Sequence, residues 1–207
     1  MTVDPLPFLA LGDSYTIGEG VDSTLRWPVH LARRLREVGI PVEDPVIIAR
    51  TGWTTDELDA GLDEAGPEGP YALVSLLIGV NNQYRGRDVE EYRSQFMELL
   101  GRAISLAGGD AGRVFVLSIP DWGVMPFAEG RDRAAVGEEI DTFNAVNREE
   151  SLARGVTWVD VTGISREGAS NPAMAAKDGL HPSGAQYGLW ADAALPAVIR
   201  ILGSPSI

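Results

Sequence analysis

Short apolar runs alternate with longer amphipathic stretches along the chain, and this alternation limits the possible fold more than any other feature of the sequence. The apolar runs cover residues 7–11, 46–49, 72–78, 114–119 and 156–159. Each run is nearly continuously apolar, which is typical of parallel strands that are buried on both faces. The pattern therefore predicts an α/β fold with a five-stranded parallel sheet.

The amphipathic stretches between these runs predict five helices, at about residues 27–38, 55–64, 89–107, 133–154 and 183–202. Apolar residues recur in them at helical spacing, as Leu31, Leu35 and Val38 do in the first. Strands that alternate with helices favour a three-layer α/β/α sandwich of the flavodoxin type, with helices on both faces of the sheet. The chain has 207 residues, of which 44% are hydrophobic, and no repeat is visible, so we expect one domain over 1–207.

Charge and composition limit the classes of partner. The formal net charge of −13 repels nucleic-acid phosphates and anionic membrane surfaces, so neither is an expected partner. The absence of cysteine excludes disulfides, thiolate metal sites and a cysteine nucleophile. No apolar segment is long enough to span a bilayer, and the apolar run at 5–11 is short and follows no basic residues. We therefore expect a cytoplasmic protein.

Ser14 is the candidate nucleophile. In open parallel sheets, ligands bind outside the carboxyl ends of the strands, where the strand order reverses. The first predicted strand runs directly into Gly12, Asp13 and Ser14, and the glycine permits a tight turn that exposes the serine hydroxyl at this edge. A serine hydroxyl is a weak nucleophile, so this interpretation requires a general base and a group that orients the base.

His181 is the candidate base and Asp178 its orienting group. Both lie in one loop between the last predicted strand and the last predicted helix. Pro182 biases His181 towards an extended backbone and suits the first position of the following helix. Asp178 can accept the Nδ1 proton of His181 and leave Nε2 free as the base. The only other histidine, His30, lies within a predicted amphipathic helix, where a structural role is the better interpretation.

Two strand ends supply candidate donors for an oxyanion. Gly52 follows the second strand, and its backbone N–H can approach a substrate closely because glycine has no side chain. Asn81 follows the third strand and can donate through its side-chain amide. Glycine and asparagine are also common turn residues, so each is ordinary when taken alone. Their position between Ser14 and His181 in the chain is what favours acyl transfer.

Together these segments resemble the SGNH hydrolases, also called the GDSL lipase and esterase family. The segment Gly12-Asp13-Ser14-Tyr15 resembles the first block of that family, with tyrosine in place of the usual leucine. The resemblance implies that Ser14 is the nucleophile and that its own N–H is an oxyanion donor. It also implies oxyanion roles for Gly52 and Asn81, and a catalytic pair at Asp178 and His181. Asn82 departs from the family pattern, which has aspartate at this position.

Competing interpretations lack their motifs. The sequence has no Gly-x-Ser-x-Gly elbow, no Gly-x-Gly-x-x-Gly or Walker-type loop, and no His-x-x-x-His spacing. A metal site built from Asp13, Asp178 and His181 is the remaining metal hypothesis, and no cofactor is expected. Two alternatives stay open, namely a transacylase and a catalytically silent module that binds a small acylated molecule.

The predicted substrate is a small ester. Trp53 and Trp122 follow strands at the same edge as Ser14 and are candidates for substrate binding, although large aromatic residues are as often part of the core. No long hydrophobic lid is visible in the sequence. We therefore expect a short-chain ester, a thioester or an acetylated sugar rather than an insoluble triglyceride.

Overall fold

A computed structural model describes residues 4–203 and confirms the predicted sheet. The five strands are β1 (Phe8–Gly12), β2 (Val46–Ala49), β3 (Leu73–Leu77), β4 (Val114–Leu117) and β5 (Thr157–Val159). All pairings are parallel, and the strand order is β2-β1-β3-β4-β5. This order reverses at β1 and β3, which is the switch point where open α/β sheets bind ligands. Gly12 is level with Ala49 of β2 and with Leu77 of β3, so these three strands end at one edge.

Within residues 4–203, eight α-helices surround the sheet: α1 (Ser14–Ile17), α2 (Trp27–Glu37), α3 (Thr55–Ala65), α4 (Val80–Tyr84), α5 (Val89–Leu106), α6 (Arg133–Ala153), α7 (Thr162–Glu167) and α8 (Gly184–Leu202). The five long helices agree with the predicted ones to within one residue at each end. The three short helices α1, α4 and α7 were not predicted, because four to six residues are too few to show a helical period.

The helices form two layers. Helix α2 packs on α8, and α5 packs on both α3 and α6, so the architecture is the predicted three-layer sandwich. The apolar side chains of the sheet and of both layers form one contiguous buried cluster. The organisation of 1–207 as a single domain stays a prediction, since both ends lie outside the described residues.

The two edge strands, β2 and β5, differ from their prediction. The sequence predicted five strands buried on both faces, and β1, β3 and β4 are fully buried. In contrast, every residue of β2 is at least partly accessible, with Val46 46% exposed, and so are Thr157 and Trp158 of β5. The reason is that each of these strands ends the sheet and has only one neighbouring strand. Over residues 4–203, no helix combines the length and the apolar character required to cross a bilayer.

Candidate active site

A cavity of about 170 Å³ lies beyond the carboxyl ends of β1 and β3. Its lining combines polar and apolar side chains: Ser14, Tyr15, Val80, Asn81, Tyr84, Trp122, Phe127, Leu180 and His181. The fold therefore brings Ser14, Asn81 and His181 together, although about 100 residues separate the last two in the chain. This is the arrangement that the switch-point argument predicts.

Ser14 is the first residue of α1, directly after β1. Asp13 caps this helix, and its Oδ1 accepts a hydrogen bond of 3.0 Å from the backbone N–H of Tyr15. At the first helical position, the Ser14 N–H has no acceptor within its own helix and is free to bind a ligand. Gly12 is required at the end of the strand, because a Cβ there would collide with a backbone carbonyl of β3.

The loop of residues 178–181, called here the His181 loop, holds its histidine through local hydrogen bonds. Nδ1 of His181 lies 2.7 Å from Oδ2 of Asp178. Oδ1 of Asp178 accepts from the backbone N–H groups of Leu180 and His181, at 2.9 and 3.0 Å. Burial opposes ionisation of Asp178, but these three hydrogen bonds outweigh it and hold the pKa of Asp178 below its ordinary value. With Nδ1 bound to a carboxylate, Nε2 is the nitrogen available as a base.

The segment after His181 differs in one detail from the prediction. Helix α8 begins at Gly184, with the Ser183 hydroxyl as its cap, so Pro182 lies two residues before the helix and not at its first position. Pro182 instead forms an antiparallel bridge with Ala175. This bridge and the cap together fix the backbone on the carboxyl side of His181.

Ser14 and His181 line the same cavity, but they are not hydrogen-bonded to each other. Over residues 4–203, no hydrogen bond joins the Ser14 hydroxyl to Nε2 of His181. Catalytic hydrogen bonds are often long in unliganded enzymes and shorten when substrate binds. The Tyr15 ring meets the imidazole edge-on, with ring centroids 5.6 Å apart, and so limits how far the imidazole can move.

The part of the site built on residues 80–85 is called here the α4 side, and Asn81 of this segment lines the cavity. Its Nδ2 donates a hydrogen bond of 2.9 Å to the backbone carbonyl of Trp53. A side-chain amide carries two N–H groups. One of them is therefore committed to the loop after β2, and the other remains available to a ligand.

Asn82 anchors α4 to α3, which explains why asparagine fits this position. Its side chain is fully buried, and Oδ1 accepts from the backbone N–H of Thr55 at 3.1 Å. Its Nδ2 donates to the Thr55 hydroxyl at 2.7 Å, and that hydroxyl in turn donates to Gln95. A carboxylate could accept the first of these bonds and could not donate the second. The departure from the family pattern therefore serves this buried chain of hydrogen bonds.

Gly52 and Trp53 lie beside the cavity and are not among the residues that line it, as far as residues 4–203 show. Gly52 adopts φ of +84°, a left-handed conformation that favours glycine. The ring of Trp53 packs over Gly61 of α3, where a Cβ would collide with it. The predicted contact between Trp53 and substrate therefore gains no support, since its ring faces the helix layer.

Trp122 forms the aromatic part of the cavity wall, where the sequence placed it. Its Nε1 donates to Oε1 of Gln83 at 2.8 Å, and Gln83 in turn donates to Glu139 at 2.6 Å. The rings of Tyr84 and Phe127 stand 5.3 and 6.1 Å from the Trp122 ring and are 47% and 44% exposed. Tyr84 was not predicted at the site. Its spacing of three residues from Asn81, which places both on one face of a helix, is the signal that could have found it.

Asp13, the residue before Ser14, lies in an unusual electrostatic environment. The side chain is fully buried, and burial raises the pKa of Asp13 to about 7, with only partial compensation from the hydrogen bond of the Tyr15 N–H. Its Oδ2 has no hydrogen-bond partner within the described part of the chain. Burial therefore favours the protonated form of this carboxyl group over the ionised form more than at an exposed aspartate.

The structure gives no support to a functional role for His30 or to a metal site. His30 lies on α2, outside the cavity, and its Nδ1 is 2.7 Å from the guanidinium of Arg33. No group of three or more His, Asp or Glu side chains in residues 4–203 is arranged to hold a metal ion. Asp13, Asp178 and His181 therefore do not make the metal site that the sequence left open.

Comparisons with known proteins give one family match and several structures with a similar fold. Residues 10–189 match the model of the GDSL-like lipase/acylhydrolase family. No curated protein is significantly similar in sequence.

Among solved structures, TesA is 21% identical with a TM-score of 0.74, covering 95% of this chain and 99% of its own. The esterase EstA from Pseudoalteromonas sp. is 17% identical, with coverages of 95% and 98% and a TM-score of 0.68. A variant of Axe2, an acetyl xylan esterase from Geobacillus stearothermophilus, is 22% identical, with coverages of 98% and 96% and a TM-score of 0.66. At these identities, the similarity shows a shared fold.

Proposed function

Because the chain belongs to the GDSL-like lipase/acylhydrolase family and is a hydrolase that acts on esters, we propose that it cleaves short carboxylic esters with Ser14 as nucleophile. His181 is the general base, and Asp178 orients it. One observation carries this proposal: Ser14 and His181 line the same cavity, and Nδ1 of His181 is 2.7 Å from the Asp178 carboxylate. This constellation has the roles of a catalytic triad.

The proposed reaction has two steps. Nε2 of His181 accepts the proton of Ser14 as Oγ attacks the ester carbonyl, and the resulting imidazolium gives that proton to the departing alcohol. The acyl group remains on Ser14 as an ester. Water then attacks this acyl-enzyme with His181 again as base, and the carboxylic acid leaves. The ionised Asp178 stabilises the imidazolium in both steps.

Three donors are proposed for the tetrahedral oxyanion, namely the Ser14 N–H, the Gly52 N–H and the free N–H of the Asn81 side chain. The Ser14 N–H is unpaired within its helix, and Asn81 keeps one amide hydrogen for a ligand. Gly52 is included in the proposal because Asn81 binds the carbonyl of the next residue, Trp53. Such donors act on the charge that develops during the reaction and so favour the transition state over the bound ester.

A small acyl or alcohol group fits the cavity. Its volume of about 170 Å³ is below the usual range for drug-sized ligands, and its aromatic wall at Trp122, Tyr84 and Phe127 offers apolar surface beside the reacting atoms. The similar fold of an acetyl xylan esterase is consistent with an acetyl ester as one such substrate. The proposed substrates include short-chain thioesters. A cytoplasmic location is also part of the proposal, and it rests on the sequence.

The test combines a variant with a panel of substrates. Ser14→Ala removes the nucleophile without changing the buried core, so we expect turnover of 4-nitrophenyl acetate and butyrate to vanish while the circular dichroism spectrum stays unchanged. The wild type should prefer acetate and butyrate to the laurate ester. Unchanged hydrolysis by purified Ser14→Ala would contradict the nucleophile, and preference for laurate would contradict the substrate class. Faster acyl transfer to added alcohols than to water would identify a transacylase.

A further inference from the structure

The loop after β2 receives two side-chain donors, one from α4 and one from Arg85, the residue that ends this helix. Nη2 of Arg85 donates to the carbonyl of Gly52 at 2.6 Å, and Nδ2 of Asn81 donates to the carbonyl of Trp53 at 2.9 Å. The two donor residues are themselves joined, because the backbone N–H of Arg85 donates to the carbonyl of Asn81 at 3.1 Å. Consecutive carbonyls of one loop are therefore held by two donor residues one helical turn apart.

This loop depends on support from outside itself. Gly52 has φ of +84°, and a glycine backbone is the least restrained of all residues. If Gly52 carried a Cβ, only one described heavy atom outside its chain neighbours would lie within 4 Å of it. That atom is Nη2 of Arg85, at 3.7 Å. A hydrogen bond from a charged guanidinium is stronger than one between neutral groups. The Arg85 contact is thus the strongest polar restraint on Gly52 within residues 4–203.

The guanidinium is itself fixed by a second anchor. Nη1 of Arg85 donates to Oε1 of Glu57 at 3.2 Å. The other oxygen of Glu57 accepts from the backbone N–H of Thr54 at 2.9 Å, as part of the capping box of α3. Arg85 therefore connects the Gly52 carbonyl with the carboxylate that holds the far end of the same loop.

We propose that Arg85 is a positioning residue for ester hydrolysis: by holding the carbonyl of the Gly52–Trp53 peptide, it restrains the backbone of Gly52, whose own N–H, in the preceding peptide, is the proposed oxyanion donor beside Asn81. The inference rests on the proposed function, because it assumes that Gly52 and Asn81 stabilise a tetrahedral oxyanion at Ser14. Arg85 does not line the cavity and is not expected to touch the substrate. Its effect should be on the rate of the chemical step, since small displacements of donors weaken transition-state stabilisation.

Arg87 provides a matched control. It lies two residues further along the chain, carries the same charge, and its Nη1 donates to Asp56 of α3 at 2.7 Å. Both arginines therefore link the end of α4 to the start of α3. Of these two arginines, only Arg85 has a described hydrogen bond to the Gly52–Trp53 segment. Loss of charge or of a surface ion pair should affect the two variants alike.

The experiment compares Arg85→Gln with Arg87→Gln by kcat, KM, melting temperature and the rate of labelling by a fluorophosphonate probe. Since removing an oxyanion donor costs about 10²–10³-fold in kcat, displacing one should cost about 10-fold. We expect this loss in kcat and in labelling rate for Arg85→Gln, with KM within about twofold, and near-wild-type values for Arg87→Gln. In the Asn81→Ala background, Arg85→Gln should lower kcat by less than it does alone, because both residues act on one loop.

Equal kcat in the two glutamine variants would overturn the proposal, as would a change confined to KM or melting temperature. If Arg85→Gln does not fold, Arg85→Lys and Arg87→Lys replace the pair, because lysine keeps the charge and lacks the planar fork that reaches two acceptors. A lower kcat for Arg85→Lys is then the expected result, and equal values would contradict it. Failure of the proposed function is distinct, since wild-type protein would then neither hydrolyse esters nor label at Ser14.

Discussion

The His181 loop and the α4 side both contribute to the lining of one cavity, and they hold their polar side chains in different ways. In the His181 loop, four consecutive residues supply both oxygens of Asp178 and all three of the groups that donate to them. On the α4 side, each of Asn81, Asn82 and Arg85 reaches a residue 27 to 33 positions away in the sequence.

This difference has a functional consequence. A local loop is specified by its own residues, so substitutions elsewhere should leave the geometry of Asp178 and His181 intact. The α4 side depends on the packing of α3, α4 and the loop after β2, so residues that never touch substrate should alter its effect on the reaction. The following predictions, from the largest expected effect to the smallest, test this contrast.

Asp178→Asn tests the local region. The amide can still accept from the backbone N–H groups but cannot hold the Nδ1 proton of His181 or stabilise an imidazolium. In a serine protease, the equivalent exchange lowers kcat by about 10⁴-fold with the geometry intact. We expect a loss of that order in steady-state kinetics with 4-nitrophenyl acetate, together with a modestly lower melting temperature above pH 5, because the low pKa of Asp178 means that its ionised form stabilises the folded state. A loss below tenfold would remove Asp178 from the mechanism.

Asn81→Ala tests the α4 side directly. It removes the free amide N–H that faces the cavity and the hydrogen bond to the Trp53 carbonyl. Loss of one oxyanion donor costs about 10²–10³-fold in kcat, so we expect a loss in this range with little change in KM. The same kinetic assay measures it. A rise in KM with unchanged kcat would instead make Asn81 a residue for ground-state binding.

Asn82→Asp tests the hydrogen bonds that support the α4 side from α3. A carboxylate cannot donate to the Thr55 hydroxyl, which would have to turn from Gln95 towards the new acceptor. Leaving one buried polar group unsatisfied costs about 1–3 kcal/mol, so the free energy of unfolding in urea should fall by this amount. The loss in kcat should be smaller than for Asn81→Ala. Wild-type stability would show that the aspartate of the family pattern is equally well accommodated.

Asp13→Asn is expected to have the smallest effect on turnover, because asparagine retains the oxygen that caps Tyr15. Its effect is on stability as a function of pH. Burial raises the pKa of Asp13 to about 7, whereas an unfolded aspartate titrates near 4, so the folded state binds the extra proton between these values. Ionisation of the buried carboxyl therefore destabilises the wild type progressively as the pH rises from about 4 to about 7.

The measurement is the melting temperature of wild type and Asp13→Asn at several pH values. The wild type should lose stability relative to Asp13→Asn across this window, and the difference should stay constant above it. Parallel curves from pH 4 to pH 8 would contradict the buried, proton-binding carboxyl group.

The same contrast explains what the sequence could predict. Asp178 and His181 were identified because their interaction spans three residues, and the sheet and the long helices because hydrophobic periodicity is a local signal. Arg85 and Gln83 were not identified, because their partners are defined only once α4 packs against other elements. Trp53 was placed at the cavity from its position beside Gly52, but the direction of its ring is set by the space above Gly61.

The central claim is that Ser14 is activated by the His181 loop, and labelling with a fluorophosphonate probe tests it most directly. The probe forms a covalent bond with an activated serine, and mass spectrometry of the digested protein locates the modified residue. We predict rapid modification of Ser14 in the wild type and slow modification in Asp178→Asn. Ester hydrolysis by a protein that is modified at another residue, or that is not modified, would contradict the claim.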